Sequence, residues 1–130
     1  MYMATTSGIR VSVRPVFLAE HSCVADQHYV WLYDVVIDNQ GQLTVQLITR
    51  HWNICDAVGN RQNVSGTGVV GEQPVLRPGE TFRYQSGCPL PTPSGIMQGH
   101  FEMQTDDGRL LKVAIPAVSL DSPFDSLVVN

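Results

Sequence analysis

Gly66-Thr67-Gly68-Val69-Val70-Gly71 has the glycine spacing of the loops that cradle a pyrophosphate in dinucleotide-binding folds. That chemistry needs more than glycine. A strand must precede the loop, a helix must follow with its N-terminus facing the phosphates, and an acidic residue must stand about 20 positions on. Glu72-Gln73-Pro74 follows the last glycine, and nothing beyond it has a helical pattern, so that fold is excluded. A looser chemistry survives, because consecutive loop amides can form an anion-binding nest without a helix. Gly66, Gly68 and Gly71 are its candidate residues, and Arg61, Arg77 and Arg83 are close enough in sequence to add positive charge. The competing reading, a tight crossover or bulge between strands, is the commoner use of an isolated glycine motif.

Arg50-His51-Trp52 is the second string that invites chemistry. His51 has the side chain of a general base or a metal ligand. No nucleophile or orienting carboxylate stands at diagnostic spacing from it. The plainer assignment makes Trp52 a core anchor, with Arg50 covering it or pairing with a carboxylate, while His51 hydrogen-bonds locally. A metal centre has to be drawn from His21, Cys23, His28, His51, Cys55 and His100. These form no CxxC pair, no helical HxxxH and no DxDxDG loop, so no metal site is expected. Ser86-Gly87-Cys88 and Ser94-Gly95 lack the nucleophile-elbow pattern, and Asp106-Asp107 before Gly108 is explained by a turn. An enzyme is not expected.

The elements that must carry these residues alternate with a period of two. Ile9, Val11 and Val13 alternate with Arg10, Ser12 and Arg14, and Pro15 marks an edge or a bulge. Tyr29, Trp31, Tyr33, Val35 and Ile37 share one face of a strand whose other face is mixed, which predicts a central position. A long β-branched run covers Leu43–Cys55, with Arg50 and Trp52 on one face and His51 on the other. Asp56–Asn60 predicts a hairpin turn with Gly59 and Asn60 left-handed. A short strand is expected around Thr81–Ser86, and a proline-rich loop over Cys88–Gly95. A hairpin over Met97–Ile115 turns at Asp106-Asp107-Gly108, and Pro116 breaks it before a short strand at Val118–Leu120. No helix is convincing. Val16–Gln27 comes nearest and lacks an apolar stripe.

Short strands with turn signals every ten or so residues predict an all-β fold. The expected architecture is an antiparallel β-sandwich of about seven to nine strands, fibronectin type III-like rather than a true immunoglobulin domain. The 130 residues fit one domain, its core at about residues 9–120 with flexible ends. Phe124, Leu127, Val128 and Val129 fall in a tail expected to pack back, fray or contact a neighbour, fraying being the usual fate of a terminus. With 43% hydrophobic residues the chain can form a core without staples. Cys23, Cys55 and Cys88, odd in number and far apart, are expected to be reduced thiols. Lys112 is the one lysine and no basic run exists, which disfavours general nucleic-acid binding. No apolar run reaches membrane-spanning length, and Met1–Gly8 lacks the features of a secretory signal, so the expected location is cytoplasmic.

Several strings stand in a specific order and spacing: Arg50-His51-Trp52, Gly66 through Pro74, and Pro78-Gly79-Glu80 with Phe82 and Tyr84. Ser86-Gly87-Cys88-Pro89-Leu90, Met97 with Gly99, and Ile115-Pro116 continue the series. Together they resemble the ApaG family over about Ile9 to Leu120. The resemblance implies a fibronectin type III-like β-sandwich. It also implies the link of the bacterial members, known as CorD, to cobalt resistance and magnesium efflux. Similar domains end a eukaryotic F-box protein and a polymerase-delta-interacting protein, which implies partner binding. The family's proposed site for pyrophosphate-containing nucleotides falls, by match, on Gly66, Gly68 and Gly71. No catalytic activity is established for the family, so none is carried over. The expected function is a non-enzymatic protein-interaction or ligand-binding module with an unidentified protein partner and no cofactor. The alternative is a pyrophosphate-containing nucleotide or a divalent cation at the glycine-rich loop.

Overall fold

A computed structural model describes residues 1–124. Nine strands follow one another: β1 (Tyr2–Thr6), β2 (Ile9–Phe17), β3 (Tyr29–Asn39), β4 (Val45–Asp56) and β5 (Arg61–Thr67), then β6 (Val75–Leu76), β7 (Thr81–Leu90), β8 (Gly95–Thr105) and β9 (Leu110–Leu120). One sheet has the order β1-β2-β3-β7 and the other β5-β4-β8-β9, with β6 also paired to β4. All strand pairs are antiparallel. Two single 3-10 turns, Ala19–His21 and Val24–Asp26, occupy the segment where no helix was expected. No helix among the described residues is long and apolar enough to cross a membrane. The chain is therefore an antiparallel β-sandwich.

Alternation builds the core. Tyr29, Trp31, Tyr33, Val35 and Ile37 all turn inward from β3, which lies between β2 and β7. Phe101 and Met103 of β8 and Val113 of β9 meet them from the opposite sheet. The inward phase of β4 changes within the strand. Val45 and Leu47 are buried, then the pairing with β8 slips between Leu47 and Thr49, and beyond it Trp52 is the buried residue. The extra residue, Ile48, is a β-bulge, and a bulge moves every later side chain to the other face. Without it Arg50 would point to solvent and His51 into the core.

Three sequence expectations change at strand ends. Cys88-Pro89-Leu90 belongs to β7 and not to the loop after it. Pro89 is tolerated because β7 is the edge of its sheet, where a missing N–H can face outward. Pro116 does not break the last strand: β9 runs unbroken to Leu120, and its register shifts opposite Gln98 in a second bulge on an edge strand. At the hairpin turn only Gly59 has a positive φ, 91°, whereas Asn60 does not.

The ends contribute to the sandwich. β1, in a segment outside the expected core, pairs with β2 from Tyr2–Val13 to Thr6–Ile9. Phe124 packs against the fold beside Phe17 and Tyr29. Leu127, Val128 and Val129 lie outside the described residues. At one end of the sandwich Asn39, fully buried, donates through Nδ2 to the Leu43 and Leu76 carbonyls and accepts the Gly41 amide. That side chain ties the β3–β4 connection to β6.

Candidate functional site

The three glycines each have a local reason for being glycine. Gly66 pairs with Arg50 across the β4–β5 ladder, and a Cβ there would lie 2.7 Å from Arg50 Nη2. Gly68 has φ +65°, and its Cβ would lie 2.3 Å from the Glu72 carbonyl oxygen. Gly71 has φ +81° in open space, next to Val70 with φ 45°. Val69 and Glu72 exchange both backbone hydrogen bonds around that pair, closing a tight hairpin turn. Two amides of the supposed nest are thereby committed, Gly68 N to Ile48 O at 2.8 Å and Val69 N to Glu72 O at 2.8 Å.

The expected arginines do not gather there. Arg61 opens β5, five residues from Gly66 or roughly 17 Å along the strand, and its pairing with Cys55 puts it on the outer face. Arg77 sits after β6, with its amide on Glu80 Oε1 at 2.7 Å. Arg83 lies on β7 in the other sheet, exposed on its outer face. Strand topology separates what sequence proximity suggested. The cation beside the glycines is Arg50, whose Nη1 donates to Gly68 O at 2.7 Å and Thr67 O at 3.2 Å.

Arg50 also forms the wall of a cleft of about 190 Å³ between the β5 and β7 edges. Tyr33 of β3, Trp52 of β4, Val64 of β5, and Ser86 and Cys88 of β7 line it with Arg50. Trp52 is 3% exposed, and its Nε1–H has no hydrogen-bond partner among the described residues. The Tyr84 hydroxyl, on a residue 6% exposed, is equally unpartnered and is within electrostatic range of Tyr33 and Arg50. In the cleft wall the unpartnered Trp52 donor therefore stands beside a cation, and a buried polar group without a partner costs about 1–3 kcal/mol.

The ionisation of the cleft argues against nucleophilic chemistry. Burial pushes the Cys88 thiol up to about 11, and burial likewise raises Tyr33 and Tyr84 above the ordinary tyrosine value. A thiol held that high is protonated at neutral pH and is a poor nucleophile. No histidine lines the cleft.

His51 behaves as a locally bonded surface residue on the other side of the same sheet. Its Nδ1 meets Ser65 Oγ at 2.9 Å, and its Nε2 meets Thr49 Oγ1 at 3.0 Å and Glu102 Oε1 at 3.1 Å. The His100 ring stacks on it at 4.6 Å. Burial, Lys112 and His51 hold His100 below the ordinary histidine value, and Glu102 opposes them. Of the six residues considered for a metal, the fold unites these two histidines. Cys23 and His28 bridge each other in the loop before β3, away from that pair. Sequence reasoning placed Arg50 on the face of the core anchor Trp52, as found, and missed Tyr84 and Glu102. The adjacent apolar pair Leu47-Ile48 was the readable trace of the bulge that decides all of β4's later faces.

Comparison with known proteins agrees with this architecture. The ApaG domain family model matches residues 19–105. A protein named ApaG from Paramagnetospirillum magneticum is 55% identical over 130 residues, the full length of both chains. One of the same name from Rhodospirillum centenum is 58% identical over 123 residues, 95% of each. The crystal structure of an ApaA protein from Bordetella pertussis superposes with a TM-score of 0.85 at 44% identity, covering 94% of this chain and 96% of that one. With a family model spanning most of the chain and relatives above half identity end to end, the chain belongs to the ApaG family.

Proposed function

We propose that this protein is a binding module with no reaction of its own, and that its cleft between β5 and β7 receives an anionic side chain of a protein partner. The observation carrying this reading is Arg50 beside the unpartnered Trp52 Nε1 in the cleft wall, with the unpartnered Tyr84 hydroxyl behind that lining and within electrostatic range of Arg50. A carboxylate or phosphate entering there gains charge-assisted hydrogen bonds in a partly desolvated setting, where they are strongest. The exposed edges of β5 and β7 flank the opening and offer backbone groups to the rest of the partner. The connection with cobalt resistance and magnesium efflux implied by the family resemblance then belongs to what the module binds.

A free pyrophosphate-containing nucleotide is the second reading, favoured by the same arginine but moved from the glycine amides to the cleft. Two measurements separate them. Affinity capture with the folded chain should retain a partner that Tyr84→Phe releases at least fivefold more readily, with the melting temperature nearly unchanged. Titration with ADP and inorganic pyrophosphate, with and without magnesium, should leave the Trp52 indole N–H resonance in place. A saturable shift of that resonance on nucleotide addition would favour the second reading. Capture insensitive to Tyr84→Phe would end the first.

A further inference from the structure

The outer face of the second sheet holds an arrangement that the cleft does not use. β4 and β8 are paired in register with His51 opposite His100, and Thr49 opposite Glu102. Directly opposed residues of an antiparallel pair hold their Cβ atoms about 4.5–5.5 Å apart on one face. Four side chains, two of them histidines and one a carboxylate, are thus set side by side on paired backbone. Gly99 makes the approach possible, because a Cβ at that position would lie 1.9 Å from the His51 carbonyl oxygen.

The geometry points to a site for a late first-row divalent cation such as Zn²⁺ or Ni²⁺, held by His51, His100 and Glu102 and completed by solvent. The donor atoms of the three residues all lie within 4.8 Å of one another. Metal–nitrogen and metal–oxygen bonds near 2.0–2.2 Å require donors spaced roughly 3–3.5 Å apart. His51 Nε2 and Glu102 Oε1 are already at 3.1 Å, so only the His100 ring has to turn out of its stack to close the set.

The surroundings orient His51 for that task. In the tautomer that carries its proton on Nδ1, toward Ser65 Oγ, the Nε2 lone pair is directed at Glu102 and Thr49, and a cation there takes the position a proton holds in the other tautomer. Metal-bound histidines commonly have their second nitrogen fixed in this way. Two imidazoles and one carboxylate suit nickel, zinc or copper, whereas magnesium prefers all-oxygen sites with several waters. The site is half-buried, so exchangeable waters complete the coordination. Lys112, opposite Glu102 on β9, is the neighbouring cation that opposes binding.

Calorimetry of the full chain with NiCl₂ or ZnCl₂ tests the site. The expected result is one equivalent bound. His100→Gln and Glu102→Gln should each weaken binding at least tenfold, and Lys112→Gln should strengthen it severalfold. His28→Gln and Cys23→Ser should leave it unchanged, and MgCl₂ should give no saturable heat. Circular dichroism of each variant, and loss of the histidine side-chain resonance shifts on metal addition, separate a ligand effect from misfolding. No saturable binding of either metal at millimolar concentration would overturn the assignment. So would binding that survives His100→Gln, or that disappears with Cys23→Ser.

Discussion

Arg50 and Gly66 illustrate how one residue's identity is set by a neighbour remote in sequence. The guanidinium lies where a Cβ on Gly66 would stand and uses Nη1 to hold the Thr67 and Gly68 carbonyls. It is therefore both a strut for the glycine turn and the charge of the cleft. Cys88, 3% exposed, lines the same cleft and offers a measurable consequence of burial. Its thiol titrates near 11 in the folded chain against 9.0 ordinarily. The unfolded chain thus loses the proton first, so the folded state keeps its full advantage below pH 9 and loses it as pH rises toward 11. Two units correspond to roughly 2–3 kcal/mol. Urea melts at pH 8 and pH 10.5 should show a loss on that scale, made shallower by Cys88→Ala. In the native protein at pH 8, iodoacetamide should modify exposed Cys23 and spare Cys88.

At the scale of the elements, turns and bulges decide what the strands present. The Val69–Glu72 turn requires left-handed backbone at Val70 and Gly71, and Gly68 brings the chain hard against Glu72. The glycines of one motif are thus not equivalent. Gly68→Ala forces both an unfavourable φ and a clash with backbone, and should cost about 2–4 kcal/mol in denaturant melts. Gly71→Asn meets open space and a conformation asparagine tolerates, so the expected cost is under about 1 kcal/mol. Equal losses at the two positions would contradict this account of the turn. The Ile48 bulge acts on the strand as a whole, turning Arg50 toward the cleft and His51 toward the outer face.

Across the whole molecule, the two sheets are joined at one side by the chain ends and left apart at the other. Ala114 N donates to Thr6 Oγ1 at 3.1 Å, linking β9 to β1, and Trp31 Nε1 donates to Asp121 O at 2.8 Å. Phe124 then meets Phe17 and Tyr29 at ring separations of 6.1 and 6.2 Å. Phe124→Ala should lower stability by about 1–2 kcal/mol, since the ring is only half-buried, with an unchanged urea m-value. A loss within experimental error would mean that the segment after β9 contributes nothing to the sandwich.

The sequence by itself determined the class of fold and most faces of its strands. Alternation in Tyr29–Ile37 already separates the residues that the structure buries from those it does not, because strand sidedness is a local property with a period of two. Turn positions at Gly59 and Gly108 were legible for the same reason: both glycines adopt the positive φ that such turns need. Only the tertiary structure decided register, edges and the bulge. Those choices place Arg50 over Gly66, leave Pro89 on a free edge and set His100 and Glu102 beside His51. They depend on contacts between segments far apart in the chain, where a shift of one residue reverses every side chain, and the break in alternation at Leu47-Ile48 does not by itself say which strand will pair there or in what register.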